Sequence, residues 1–374
     1  MLVRLSNAPR PFDWGSEHLI ADLEGRVAAG PEAEVWFGDH PADPADVEDG
    51  SGRTLDEWIR DEAGGARLPY LLKILAARRS LSIQAHPTRA QAEQGYAAER
   101  ELPPGVPHNY ADDNHKPEMI VSLCDEFVAL CGLRDIERTR ELLTELGAPA
   151  APLRERIRDD ESLADAIAWL LSGDAQPVVD AISHALVDAE SDAFGADLDI
   201  ARRNAVDFPG DPGIVVGLLM NLMTLGYGEA LFLRAGQLHA YQSGIGVEIM
   251  AASDNVMRGG LTPKHIDVPE LMHVLERGSG PVARVRPIDA GNGFEEYPVE
   301  IDDFRLLHAR VGEGGSAAAN LDGPAIVLSV SGTARVSVSS ESIDIMPGRA
   351  AFISNEHAVE ITGSGEVFIA LSGE

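Results

Sequence analysis

Lysine is almost missing from this chain: of 30 Lys and Arg residues only Lys73, Lys116 and Lys264 are lysines. Positive charge is short altogether, because 61 Asp and Glu residues leave a formal net charge of −31. Proteins that bind nucleic acid need a basic surface, so this balance argues against that class of partner. A small anionic ligand would be repelled by the average field and would require a local cationic pocket. The three lysines lie in or near unusual polar stretches, which suits a compact point charge that arginine does not supply. Cysteine is scarce too. Cys124 and Cys131 stand seven apart with no CxxC, which argues against a zinc ribbon or a redox pair and for two packed apolar thiols in a β-hairpin. No apolar run is long enough to cross a bilayer; the best, residues 213–225, is short and contains Asn221. The first residues lack the apolar centre of a signal peptide, so a cytoplasmic protein with no membrane partner is expected.

At 374 residues the chain is expected to form two or three domains. To about Arg134 it reads as mostly β, with a short helix over Thr54 to Glu62 and an exposed one over Arg89 to Arg100. Met119–Leu123 and Phe127–Leu130 read as a hairpin turning at Asp125-Glu126. From Asp135 to about Leu225 apolar residues recur at helical spacing, as in Leu163, Ile167, Leu170 and Leu171, with Ser162 as the expected N-cap and Gly173 as the stop. Beyond Val282 short strands return, among them Phe304–Val311, Ile326–Val330, Ala334–Val338, Ala350–Ile353 and Val367–Leu371. Segregated strands and helices argue against a doubly wound sheet and for jelly-roll-type β units. His357, in the last part, is expected on the surface.

The stretch HAYQSGIGVEIMAASDNVMRGGLTPK, His239 to Lys264, mixes an imidazole, Glu248, Asp254, Asn255, Arg258 and Lys264 among small residues. A plain strand or helix needs no such mixture. The preceding run, Leu231 to His239, reads as strand, glycine turn, strand, which holds His239 on rigid backbone. In Leu81-Ser-Ile-Gln84-Ala-His86-Pro87 the period-two alternation puts Gln84 and His86 on one strand face, and Pro87 ends the strand. The polar loop from Asn109 runs into an apolar strand that starts at Glu118. Two imidazoles, one carboxylate and one amide oxygen make an N/O set suited to zinc with room for a substrate. The expected ligands are therefore Gln84, His86, Glu118 and His239. His115 is the other candidate, but it is out of phase with Glu118 and is assigned to orienting its loop.

Tyr110-Ala-Asp-Asp-Asn-His-Lys-Pro-Glu-Met119 resembles the first signature of the type I phosphomannose isomerases, and His239 to Lys264 resembles their second almost throughout. Leu81 to Pro87 is similar to their glutamine–histidine zinc strand, and Trp14-Gly15, Glu34-Val-Trp-Phe-Gly38 and Leu71-Leu-Lys-Ile-Leu75 fit the same family. The specific motifs lie between residues 11 and 268; the helical middle and the C-terminal part match only in kind. Gln242 and Gly259 depart from the apolar residue and the alanine usual at those positions, and neither can be a ligand. Pattern and resemblance together imply a mainly β fold with an α-helical insertion: two cupin-like jelly-roll β units plus a helical domain. The expected division is 1–134 with 227–281 as the catalytic unit, 135–226 as the insertion and 282–374 as the C-terminal unit.

The resemblance implies one zinc ion per chain and interconversion of mannose 6-phosphate and fructose 6-phosphate by C2/C1 proton transfer through an enediol or enediolate. It marks Arg258 as catalytic, its fixed charge holding an enediolate or the phosphate. Glu248 is the first choice for proton shuttle and Lys264 the second. Ser82 and Lys116 suit phosphate or hydroxyl contacts. Asp254 is assigned to ring opening or to orienting Arg258, with an Asx turn as an equal alternative. Trp14 and Tyr241 are expected to line the sugar pocket, Trp14 equally to serve the core. A monomer acting on a small sugar phosphate is expected. Two other classes remain open at this point: a metal-dependent oxygenase on a similar scaffold, and a sugar-phosphate-binding regulator without turnover.

Overall fold

The computed structural model describes residues 1–103 and 105–373. Its described strands fall into two antiparallel sheets, one of nine strands and one of ten. The nine-stranded sheet is built on one long strand, His239–Ala251. Along its first half this strand pairs with Phe127–Leu133 and, at His239, with Gln84. Along its second half it pairs with Tyr70–Ala77 and Glu118–Ser122. The change of partners falls at Ser-Gly-Ile-Gly, residues 243–246. Gly244 has φ +120, and a Cβ there would sit 2.7 Å from the Phe127 ring; a Cβ on Gly246 would sit 2.7 Å from the Val121 carbonyl oxygen. Only glycine permits the backbones to approach so closely while the strand turns the corner.

A second device acts on the same strand. His239 and Glu248 are nine residues apart, which in a regular strand puts them on opposite faces. A bulge between Tyr241 and Ser243 shifts the register by one residue. Parity is reset, and Tyr241, Glu248 and Met250 all border the same cavity.

The turn at Asp125-Glu126 is present, but the expected hairpin around it is not. Glu118–Ser122 and Phe127–Leu133 do not pair with each other; each takes a different half of the long strand, because the sheet curls between them. Both cysteines are free thiols, Cys131 buried and Cys124 half-buried.

Helices occupy the middle, from Ile136–Glu145 to Gly213–Leu218. In Asp160–Leu171 the buried residues Leu163, Ile167 and Leu170 form one apolar stripe. Each such side chain contributes about 1.5–3 kcal/mol when fully buried. The N-cap is Asp159 rather than Ser162. Asp159 accepts from the Ser162 amide at 2.9 Å while Ser162 Oγ accepts from the Asp159 amide at 2.9 Å, a capping box of which Ser162 is the far member. Gly173, at φ +89, follows the end of that helix.

The ten-stranded sheet carries the C-terminal strands and also Leu2–Ser6, which pairs with Ala350–Ile353. The segments read as two strands, Ile326–Val330 and Ala334–Val338, belong to one strand, Ala325–Ser337. A bulge, not a turn, lies between them: the register shifts between Ser329 and Ser331, and Gly332, at φ +66, lies against the Ser364 carbonyl. Apolar residues from both sheets meet in one core, with Phe37, Leu72 and Ile74 from one side and Leu5, Phe352 and Phe368 from the other. His357 is exposed. Among the described residues no helix is long and apolar enough to cross a membrane.

Candidate metal centre

His86, Glu118 and His239 converge, each with no more than 2% of its surface exposed. The backbone sets the orientation of both rings. His86 Nδ1 donates to the Asn255 carbonyl at 2.7 Å, and His239 Nδ1 donates to the Gln237 carbonyl at 2.9 Å. In the neutral ring each Nε2 then keeps its lone pair. Burial, outweighing the pull of Glu118, holds the His86 imidazole down to about 4, so that ring is uncharged near neutral pH. His86 Nε2 lies 3.4 Å from Glu118 Oε1, and His239 Nε2 lies 3.4 Å from Glu118 Oε2. Among the described residues neither His86 Nε2 nor Glu118 Oε2 has a hydrogen-bond partner.

Lone pairs thus face lone pairs in a buried site, an arrangement that a cation satisfies. Ligand atoms about 3.4 Å apart are the edges of a tetrahedron with bonds of about 2.1 Å. The Gln84 amide stands next to them, its Nε2 3.3 Å from His239 Nε2. A half-turn of that amide presents its oxygen to the same point. The residues present therefore fit a small dication with N/O ligands.

Lys116 Nζ lies 2.9 Å from Glu118 Oε1. Burial pushes the Glu118 carboxyl up, but Lys116 and the two imidazoles more than reverse this and hold it well below the usual carboxylate range. In front of the centre opens a cavity of about 860 Å³. Apart from His86 and His239, which stand behind Glu118, every site residue expected from sequence borders it. Arg258 is placed by pairing with Gln84 in register. Half-buried, its guanidinium makes no hydrogen bond or ion pair with any described residue, and desolvation lowers it from the ordinary value. Lys264 is exposed at the rim. Trp14 is half-buried and stacks on Phe12 with centroids 5.7 Å apart, so it both lines the cavity and packs against the apolar cluster beneath it. Tyr241 is buried edge-on to Phe127 at 5.4 Å. Ser82 Oγ lies 3.5 Å from Gln84 Oε1.

Asp254 and Asn255 divide the work. The Asp254 carboxylate faces outward beside His40 at 3.3 Å, and the His40 hydrogen bond lowers its pKa. Fully buried Asn255 is the structural member: its side chain takes the Ala111 amide and gives to the Asp112 and Asn114 carbonyls, while its own carbonyl orients His86. His115 points away from the metal cluster, 2.7 Å from Asp303. Gln242 is also accounted for. Buried, it accepts from Asn204 of the helical segment at 3.1 Å and donates to Ser80 at 2.7 Å, so its amide is satisfied where an apolar side chain is usual. At Gly259 a Cβ would be 3.2 Å from Leu271 and 3.3 Å from Ile83, tight on both sides.

Lys73 was missed as a site residue. It is 5% exposed, 2.5 Å from Glu248 Oε2 and 3.4 Å from Glu34 Oε1. Burial lowers its ammonium, but Glu248, Glu34 and Glu118 override that and hold it above its ordinary value. Burial raises the Glu248 carboxyl; Lys73 pulls it back, Glu118 and Glu34 push it up, and it stays above the usual range. The signal in the sequence was a lysine at the centre of an otherwise apolar strand, Tyr70–Ala77, since lysine is almost never fully buried unless paired.

Antiparallel β architecture, a buried His–Glu–His cluster and a cavity bordered by Lys116, Arg258 and Lys264 define a metal-site enzyme of the cupin-like kind. Residues 2–136 match the family model described as phosphomannose isomerase type I, catalytic domain. The mannose-6-phosphate isomerase of Escherichia coli (strain K12) is 32% identical over 391 aligned positions, covering 97% of this chain and 98% of its own length. That of Ogataea parapolymorpha is 32% identical, covering 90% and 86%. A solved variant of phosphomannose isomerase from Salmonella typhimurium superposes over the whole of both chains with a TM-score of 0.91 at 28% identity. A zinc-bound mannose 6-phosphate isomerase does so with a TM-score of 0.89 at 28% identity. The chain belongs to the mannose-6-phosphate isomerase family, the type I phosphomannose isomerases.

Proposed function

We propose that this enzyme interconverts D-mannose 6-phosphate and D-fructose 6-phosphate with one zinc ion per chain, held by Gln84, His86, Glu118 and His239. The observation that carries the reading is the set of buried acceptor atoms facing one another at 3.4 Å beside an uncommitted arginine. The zinc-bound structure with the same fold supports the choice of metal. When bound, zinc supplies Lewis acidity toward the sugar oxygens.

The chain's own residues do the rest. Glu248 takes the proton from C2 of the open-chain aldose; the C–H pair forms the C1–C2 double bond and the carbonyl pair moves to O1, the O2 proton passes to O1, and the proton on Glu248 is returned to C1 as the C2 carbonyl of the ketose forms. A raised carboxyl pKa favours this exchange near neutral pH, and the Lys73 contact keeps the carboxylate aimed at the cavity. Arg258 holds the enediolate charge or the phosphate and cannot serve as the base. Lys264, exposed at the rim, attracts the phosphate rather than taking the carbon-bound proton. Lys116 and Ser82 contact substrate oxygens, and Asp254 assists ring opening. Trp14 and Tyr241 shape the wall. The local cations answer the repulsion expected from a net charge of −31.

Arg258→Ala tests the assignment. A coupled assay on mannose 6-phosphate is expected to show turnover reduced by about 10²–10³-fold, the range seen when one group stabilising transition-state charge is removed. Zinc content stays at the wild-type level. Retained turnover removes Arg258 from the mechanism.

A further inference from the structure

The helical segment borders the cavity with residues 207–211, and of these Asp211 also holds the loop opposite through its carboxylate. Its Oδ1 accepts from the Gly213 amide at 2.7 Å and from the Leu261 amide at 2.9 Å; its Oδ2 accepts from the Thr262 amide at 3.1 Å. The loop it grips is strained. Leu261 is a buried non-glycine residue at φ +52, and Gly260, at φ +124, lies so close to Gly213 that an added Cβ would be 2.4 Å from the Gly213 Cα. Gly260 also accepts from the Ile83 amide at 3.0 Å, beside the Gln84 ligand position. Beyond the grip, Thr262 Oγ1 accepts from the Lys264 amide at 3.1 Å, and Thr262 and Lys264 both border the cavity.

We propose that Asp211 is a positioning residue for substrate binding: its carboxylate holds the Gly260–Lys264 turn in its strained form and so sets the Lys264 ammonium and the Thr262 hydroxyl against the anionic end of the sugar phosphate. The inference rests on the sugar-phosphate reading of this cavity. It separates two functions that share the site. The metal centre is oriented by the carbonyls of Asn255 and Gln237, which Asp211 does not touch. Loss of Asp211 therefore releases the cationic loop and leaves the zinc ligands in place.

The test uses the full-length zinc enzyme with Asp211→Ala and Asp211→Asn, read by kcat, KM for mannose 6-phosphate, zinc content and calorimetric binding of inorganic phosphate. For Asp211→Ala, KM and the phosphate Kd are expected to rise about tenfold, the loss of hydrogen bonds to a charged acceptor, while kcat and zinc stay near wild type. Asp211→Asn, which keeps an oxygen for the Gly213 and Leu261 amides, recovers most of the affinity. Unchanged KM and phosphate Kd in Asp211→Ala overturn the proposal. So does a parallel fall of kcat, zinc and affinity in both variants, which marks a merely structural residue. Wild-type protein without turnover of mannose 6-phosphate defeats the reading of the site instead, and Asp211 is then judged on phosphate binding alone.

Discussion

His239→Ala is expected to lose both its zinc and its turnover, the latter by at least about 10³-fold, since a zinc enzyme without its metal loses the Lewis acid together with the oriented substrate. The expectation follows from how the imidazole is held. Its Nδ1 is fixed by the Gln237 carbonyl at 2.9 Å and its Nε2 stands 3.4 Å from Glu118, so removing the ring removes a ligand atom already aimed at the metal position. The strand that carries it is paired on both edges, with Gln84 and with Cys131, so the backbone keeps its course when the ring is removed. Metal analysis and the coupled assay on the same sample check the result. A variant that kept stoichiometric zinc would show that the centre does not depend on this imidazole.

Lys73→Met is expected to destabilise the folded protein by about 3–5 kcal/mol, the usual consequence of stripping one partner from a buried ion pair. Glu248 and Glu34 both lie on this ammonium, and Glu118 adds further negative charge nearby. Without it two buried carboxylates are left without their shared counter-charge. Chemical denaturation of the zinc-loaded protein measures the loss, and Lys73→Met combined with Glu34→Gln is expected to recover part of it by removing one unpaired charge. A change below about 1 kcal/mol would match an exposed pair and contradict the burial argument.

The course of the chain was largely legible, because strand alternation, helical apolar spacing and Gly or Pro punctuation are local signals. What failed was pairing. The turn at Asp125-Glu126 was visible, yet nothing local says that its two flanking strands each prefer a different half of His239–Ala251. The N-cap was placed at Ser162 instead of Asp159, since both residues can cap and only the backbone decides which one precedes the helix. In the site, residues with short-range motif context came together around one cavity, whereas those defined by distant partners did not announce themselves. Lys73 meets Glu34 from 39 positions away, and Asp211 reaches Leu261 across 50. The bulge that returns Glu248 to the face of Tyr241 leaves no mark in the alternation pattern, so their shared cavity emerged only from the folded strand.

The most direct test is to follow zinc content and mannose 6-phosphate turnover in one preparation through chelation and zinc restoration. The account predicts one equivalent of zinc per chain, loss of turnover in step with its removal and recovery on its return. Full turnover by the metal-free protein would contradict it.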